Sequence, residues 1–386
     1  MKIKLAADVE CTGCGSCYAT CSQDAICMQE GRNGYIYPKV DNSKCIECGQ
    51  CISACPAFHI GERDTAPICY AARTHNDKVL RISTSGGVFY ELASLIFQRG
   101  GCVYGCVLSG SPLRAIHKRA TCYEELVGMH GSKYVQSEVY HTYRLAKEDL
   151  DKGLWVLFTG TPCQVSGLKQ HLRNQYDHLV TMEVICHGVP SNGMLRKLQK
   201  EVISYHKGCG QLLSIAFRHK APKWTKYAVG SSFENGESFL EAGCRNGFLE
   251  AFAHRLILRE SCYRCAYNDG RSGADITVGD FWGLTDVHKA FNDGSGCSAV
   301  IIHSTKGLDL ILKTSLDVEK SFIGEITPNN PSYQAERHSN PLRHIYNVLW
   351  PIIGFANAWR IFGTLYWISR FPRRLISKIK LICARR

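Results

Sequence analysis

The sequence predicts a small α+β unit built on cysteine turns, followed by a larger α/β domain with a mostly parallel sheet. Three observations carry this reading. Two cysteine quartets of matching spacing lie between Cys11 and Cys55, strand-like and helix-like runs alternate after Pro67, and the 45% apolar content of the 386-residue chain is that of an ordinary globular protein. The length accommodates the small unit plus one large domain or two smaller ones.

The first quartet is Cys11-x-x-Cys14-x-x-Cys17-x-x-x-Cys21, and the second is Cys45-x-x-Cys48-x-x-Cys51-x-x-x-Cys55-Pro56. Three thiolates from one tight turn, with a fourth crossing to the twin, is the spacing that wraps a four-iron cluster. The expected ligand sets are Cys11, Cys14, Cys17 and Cys55 for one 4Fe–4S cluster, and Cys45, Cys48, Cys51 and Cys21 for the other. Structural zinc is the plainer alternative, but zinc modules use separated pairs and four ligands in all. Disulfides would need an oxidising compartment, and no signal peptide precedes the motif, so a reducing cytoplasm is expected. Ser22 follows Cys21 where the second quartet has Pro56, which loosens one turn without removing a ligand. Gly31 to Gly34 reads as a turn and Tyr35 to Val40 as a short strand. The two halves repeat at a spacing of 34 residues, a pseudo-symmetry that resembles a bacterial two-cluster ferredoxin, and residues 1–62 are assigned to such a domain.

The net charge of +12 hints at nucleic acid until it is mapped. Nine of the 46 Lys/Arg and none of the 34 Asp/Glu lie between Pro341 and Arg386, which leaves 37 basic against 34 acidic residues elsewhere. The basic character belongs to residues 341–386, and no nucleic-acid partner is expected. The apolar runs there, Ile345 to Trp359 and Ile361 to Ser369, fall short of the roughly 18 uncharged residues of a spanning helix. Aromatics beside basic residues suit a segment lying on an anionic membrane surface, at the inner face of the cell membrane. A helix packed on the body or on a partner protein is the alternative.

Between these ends the chain alternates. Val88 to Phe97 is an amphipathic helix ended by Gly100-Gly101, and Cys102 to Leu108 is a strand. Glu138 to Asp151 suits a helix and Leu154 to Phe158 a buried strand. Thr159 to Gln164 turns into a helix reaching about Arg173. Leu179 to Ile185 is again a strand, and Cys186 to Ser191 leads into the next helix. Asp275 to Trp282 and Ser298 to His303 supply later strands. Ser83-Thr-Ser85-Gly86-Gly87 is either a plain helix cap or an anion cradle made of backbone N–H groups. Cys163 and Cys186 each lie just beyond the carboxyl end of a strand, where open α/β sheets form their ligand crevice. With Cys262-x-x-Cys265 they would make one quartet from three loops, for a further iron–sulfur cluster or a zinc ion. The alternatives are scattered buried thiols, or a nucleophilic Cys163 beside His187. Cys27, Cys69, Cys102 and Cys106 are read as packing.

Taken together, these segments resemble the beta-subunit family of coenzyme F420 hydrogenases and dehydrogenases. The matching runs are Ser83 to Gly87, Gly131-Ser-Lys133-Tyr-Val-Gln-Ser137, Phe158 to Gln164, Ile185 to Ser191, Phe217-Arg-His-Lys220, Cys262 to Cys265, and Asp275 to Gly283. They cover about residues 68–310, within a domain placed at 68–320. The resemblance implies a flavoprotein that binds FAD with a third 4Fe–4S cluster beside it, held by Cys163, Cys186, Cys262 and Cys265. It implies Ser85, Gly86 and Gly87 in the flavin pocket, with amides toward the pyrophosphate, and Lys133 facing flavin or substrate. Lys133, His187 and Asp280 are the catalytic candidates. A surface lysine is the plainer reading of Lys133, and Asp280 either orders the site or merely caps a strand.

The expected function is an iron–sulfur flavoprotein oxidoreductase that passes electrons between ferredoxin-type clusters and FAD, to or from an organic substrate. Its partners would be a redox protein or small electron carrier and a small-molecule substrate. The alternative is an electron-relay component that leaves substrate chemistry to a partner. Subunits of the family it resembles often work with a separate hydrogenase or dehydrogenase partner, whereas this chain carries its own ferredoxin unit and a basic, aromatic tail, and nothing in it maps to a nickel site or specifies the deazaflavin coenzyme.

Overall fold

The computed structural model describes residues 3–334 and 339–364. In chain order its strands are β1 (Ile26–Glu30), β2 (Ile36–Val40), β3 (Ile68–Thr74), β4 (Cys102–Ser109), β5 (Arg114–Ala120), β6 (Val156–Gly160), β7 (Leu179–Val184), β8 (Leu212–Lys223), β9 (Lys226–Phe233), β10 (Ser238–Ala242), β11 (Ile276–Asp280), β12 (Ser298–Ile302) and β13 (Leu316–Ser321). Three sheets result: the hairpin β1-β2, the meander β10-β9-β8, and an eight-stranded sheet in the order β13-β3-β12-β11-β7-β6-β4-β5. In the large sheet β4, β6, β7 and β11 pair in parallel, while β5 on one flank and β12, β3 and β13 on the other pair antiparallel. The sheet is therefore mixed, with a parallel centre.

The parallel centre is covered on both faces, as such sheets must be. Along β6, Leu157 points to one apolar cluster with Leu92, Ile96, Val103 and Val180, while Val156 and Phe158 point to another with Tyr104, Tyr143 and Leu168. That two-residue alternation follows from strand geometry. The helix Val88–Gln98 covers the first face, and the helices Tyr140–Asp151 and Pro162–Leu172 the second. Helix starts are written locally. Thr161 and Gln164 form a capping box with Pro162 in the first turn, and Ser191 Oγ accepts from Met194 N at 3.1 Å ahead of the helix Asn192–Tyr205. Each such cap contributes about 1 kcal/mol.

Two features depart from the expectations. The β8-β9-β10 meander was not anticipated. It sends Phe217, Val229 and Phe233 into a core shared with Leu195, Leu198 and Phe248. Residues 341–364 are also not a free aromatic segment. Tyr346, Trp350, Phe355 and Phe362 are buried in that same core, so their rings are used in packing and the boundary near 341 does not mark off a separate core. The helix Arg343–Ile353 keeps Ile345, Val348 and Ile352 exposed on its outer side. No helix among the described residues is long and apolar enough to cross a membrane. The remainder of the basic segment, 365–386, lies outside the described residues.

Candidate functional site

The turn from Cys11 to Cys17 passes through two left-handed glycines, Gly13 and Gly15, into the short helix Ser16–Thr20. Cys55 comes across from the second turn to join it. Cys11, Cys14, Cys17 and Cys55 line one small cavity of about 20 Å³, walled also by Leu5, Met28, Pro38 and Pro56. Burial pushes the Cys14 thiol up to about 12, and Cys55 and Cys11 add to the rise against a hydrogen bond from Ser16. Cys17 is raised by burial and then by Cys14, Cys11 and Cys55. In the second set, burial again raises Cys51, whose thiol neighbours are Cys21 and Cys45; Cys48 is exposed. Ala25 N lies 3.3 Å from Cys21 Sγ, the geometry of an N–H donor to sulfur.

A third group assembles from three loops. Cys163 lies in the first turn of the helix after β6, Cys186 follows β7, Cys262 sits within the turn Glu260–Arg264 and Cys265 directly follows it. The Cys163 thiol is pushed well up by burial and then by Cys186, Cys265 and Cys262. A thiol raised by burial and by neighbouring thiols ionises more readily beside a strong positive charge, which bound iron would supply. Four thiolates are the donor set that a four-iron cluster takes.

The first and third groups adjoin. The helix Pro162–Leu172 begins with Cys163 at one end and rests on Cys14 along its side. A Cβ on Gly167 would stand 3.0 Å from Tyr143 Oη and 3.1 Å from Cys14 Sγ, so glycine is what allows the approach. Tyr143 and Tyr267 fill the intervening space. Each phenol is raised first by burial and then by thiols of both groups, Cys14 and Cys163 among them.

Cys186 also lies on the wall of a cavity of about 570 Å³ at the carboxyl ends of β6, β7 and β11. That volume is typical of a cofactor or substrate site. Of the expected residues, Ser85, Gly87, Lys133, His187 and Asp280 line it. Gly86 does not: its N–H donates to Ser298 Oγ at 2.9 Å, so this amide is engaged inside the fold. Lys133 is not a surface lysine. Its Nζ donates to the His130 carbonyl at 2.7 Å, and burial lowers its amine to about 8. His187 Nδ1 lies 3.0 Å from Ser332 Oγ. Asp280 accepts from Arg218 and, at 3.1 Å, from Trp224 Nε1, which makes it the holder of an arginine on the same wall.

Some contributors escaped the sequence reading. Lys220 Nζ donates to the Leu80, Ser85 and Ser295 carbonyls at 2.8, 2.8 and 2.7 Å, clamping the Ser83 to Gly87 loop. Trp282 stacks on Trp224 at 4.8 Å between ring centres. Both belong to motifs already noted, but their partners are distant in sequence. Cys106, read as packing, is on the cavity wall, and Cys27 is exposed; Cys69 and Cys102 are buried.

Comparison with known proteins adds the following. Residues 153–320 match the family model for the C-terminal part of the beta subunit of coenzyme F420 hydrogenase/dehydrogenase, and residues 10–58 match a 4Fe–4S dicluster domain. Over 46 residues the chain is 50% identical to one of the subunits of the Na⁺-translocating ferredoxin:NAD⁺ oxidoreductase complex of Acetobacterium woodii, which is 12% of this chain and 13% of that protein. A solved structure of the xenon-derivatised F420-reducing NiFe hydrogenase complex from Methanosarcina barkeri aligns with a TM-score of 0.47 at 19% identity, covering 72% of this chain and 89% of that one.

Proposed function

We propose, from the match of residues 153–320 to the coenzyme F420 hydrogenase/dehydrogenase beta-subunit model and of residues 10–58 to a 4Fe–4S dicluster domain, that the chain is a flavin-dependent iron–sulfur oxidoreductase of that family. Electrons would pass between the cysteine set that includes the exposed Cys48 (Cys21, Cys45, Cys48, Cys51), the more buried set (Cys11, Cys14, Cys17, Cys55), a third cluster on Cys163, Cys186, Cys262 and Cys265, and FAD in the large cavity. The observation that carries this reading is the serial contact of the thiol groups, ending on Cys186 at the wall of the 570 Å³ cavity.

FAD, when bound, would exchange single electrons with a cluster and a two-electron equivalent with an organic substrate. The chain's own residues would do the rest. Ser85 and Gly87 would line one side of the cavity, on a loop held by Lys220 at the Ser85 carbonyl and by Ser85 Oγ donating to the Cys297 carbonyl at 2.6 Å. Lys133 presents an ammonium whose lowered affinity for its proton suits it to release one near neutral pH. Asp280 holds Arg218 in place for an anionic group, and Trp282 supplies a flat apolar wall.

Iron and flavin content of anaerobically purified protein tests the reading. Three clusters require about 12 iron atoms per chain and the N-terminal pair about 8. Cys163→Ser and Cys265→Ser should each bring iron from about 12 toward 8 and leave the dicluster signals intact. A wild-type count near 8 without flavin would refute the proposal.

The relay alternative is favoured by one observation: the curated relative works as part of a multi-protein complex. Flavin reduced by the purified chain, with no turnover of small acceptors until a second protein is added, would select it. Membrane contact is supported by the exposed Ile345, Val348 and Ile352 beside a segment with basic but no acidic residues. Its test is truncation after Thr364 rather than at 340, because the earlier cut would remove Tyr346, Trp350 and Phe355 from the core. Unchanged membrane fractionation of both the truncated chain and an Ile345→Ser/Ile352→Ser variant would defeat the idea.

A further inference from the structure

Arg259 is among the largest fully buried side chains, with a relative exposure of 0%. Buried guanidinium groups are ordinarily matched by carboxylates, because an unmatched charge is costly away from water. Among the described residues no Asp or Glu forms an ion pair with Arg259. Its donors go instead to the first cysteine turn and its surroundings. Nε donates to the Cys11 carbonyl at 2.7 Å, one terminal nitrogen donates to Gln136 Oε1 at 2.9 Å, and the other donates to the Ile36 carbonyl at 2.9 Å. That last nitrogen also lies 3.8 Å from Cys11 Sγ. The flat face of the group lies 4.3 Å from the Tyr37 ring centre. The charge is thus fixed by a fork of hydrogen bonds beside a sulfur of the buried set.

A second, independent observation shows that the turn is shaped around this group. The internal repeat pairs Gly13 with Glu47 and Gly15 with Gly49. Glu47 adopts the left-handed backbone at φ 56° without being glycine, so the conformation alone does not demand glycine at the Gly13 position, where φ is 67°. Space does. A Cβ on Gly13 would stand 2.7 Å from an Arg259 terminal nitrogen and 2.9 Å from the guanidinium carbon. The first turn therefore makes room at Gly13 for a fully buried cation.

We propose that Arg259 is the resident counter-charge of the cluster on Cys11, Cys14, Cys17 and Cys55, raising its reduction potential above that of its twin. The inference rests on the proposed cluster assignment. Reduction adds one electron to a cluster that is already anionic in its thiolate cage, and a fixed positive charge with a hydrogen bond to sulfur favours the reduced form. The electron gained by one cluster leaves the other, so the charge biases their shared equilibrium toward the interior site. Arg259 also lies three residues before Cys262, with Cys262 N donating to the Arg259 carbonyl at 2.9 Å. It thereby ties the loop of the third group to the first.

The test is a redox titration of the whole anaerobic protein followed by electron paramagnetic resonance, with iron counted per chain. In Arg259→Gln, at wild-type iron content, one midpoint should move to lower potential while the others stay. At a fixed potential the reduced-to-oxidised ratio of that cluster should fall at least about tenfold, which is about 59 mV for one electron. Arg259→Lys, which keeps the charge but loses the fork, should fall between. Gly13→Ala, which displaces the guanidinium and leaves Arg259 in the chain, should shift the same midpoint in the same direction. If Arg259→Gln loses iron, Arg259→Lys and Gly13→Ala decide. Unchanged midpoints in iron-replete variants would overturn the role of Arg259. A wild-type protein lacking a cluster on the Cys11 set would instead overturn the assignment beneath it.

Discussion

The two N-terminal cysteine turns share a spacing and a backbone, yet they inhabit different surroundings. In the first, Cys11, Cys14 and Cys17 are buried and both glycines are packed against the body, Gly13 by Arg259 and Gly15 by Tyr140. In the second, Cys51 is buried but Cys45 is half-buried and Cys48 exposed, and a Cβ on Gly49 would meet nothing within 4 Å. In the proposed chain of clusters the first set would relay electrons inward past Tyr143 and Tyr267, and the second, through the exposed Cys48, would meet an external donor or acceptor. Environment rather than ligation separates them, since hydrogen bonds, net charge and exposure tune such clusters over a wide range.

The largest expected contrast comes from removing one ligand on each side. Cys14→Ser should lose about four iron atoms and also lower the thermal midpoint markedly, because metal binding at a buried site is coupled to folding. Cys48→Ser should lose similar iron with a much smaller change in the midpoint. Equal thermal losses would break the comparison. Next, iron released to a chelator under air should leave in two phases, with the Cys48 cluster first; a single phase would show that the surroundings do not differ in access. Gly15→Ala should destabilise by about 2–3 kcal/mol, from backbone strain plus the Tyr140 contact, and Gly49→Ala by only about 1 kcal/mol from strain. Chemical denaturation of the holoprotein measures both. The smallest contrast concerns two arginines that touch these turns. Arg144 donates to the Ala19, Cys21 and Tyr18 carbonyls, whereas Arg173 reaches the Gln50 carbonyl at 3.2 Å in an exposed setting. Arg144→Ala should cost about 1–2 kcal/mol and Arg173→Ala less than about 0.5 kcal/mol.

What could be read from the chain was local chemistry. The quartets announce themselves by spacing, and the alternation from Cys102 to Val184 follows from strand and helix periods with a Thr-Pro-Cys-Gln helix start. Cys163 and Cys186 were placed at strand ends for that reason. What escaped depends on partners far away in sequence. The Gly86 amide is taken by Ser298, Arg259 reaches Cys11, and Lys220 clamps Leu80 and Ser85. The aromatic residues from Tyr346 to Phe362 advertised a sticky surface without saying which surface they would meet, and the answer was the protein's own core. The difference between Gly13 and Glu47 was visible in the repeat from the start, but it had no meaning until a guanidinium was found in the gap.

The helix from Pro162 to Leu172 carries a consequence of its own. It bears Cys163 at its start and lies directly on Cys14 near its middle, with Gly167 at the contact. Electron tunnelling weakens exponentially with distance, so in the proposed chain of clusters the separation of these two stations would govern how fast charge crosses. Here that separation is set by a rigid rod packed in the core rather than by a mobile loop or a docking event. Transfer across this gap should therefore depend little on solvent viscosity, and its rate should be inherited from folding itself.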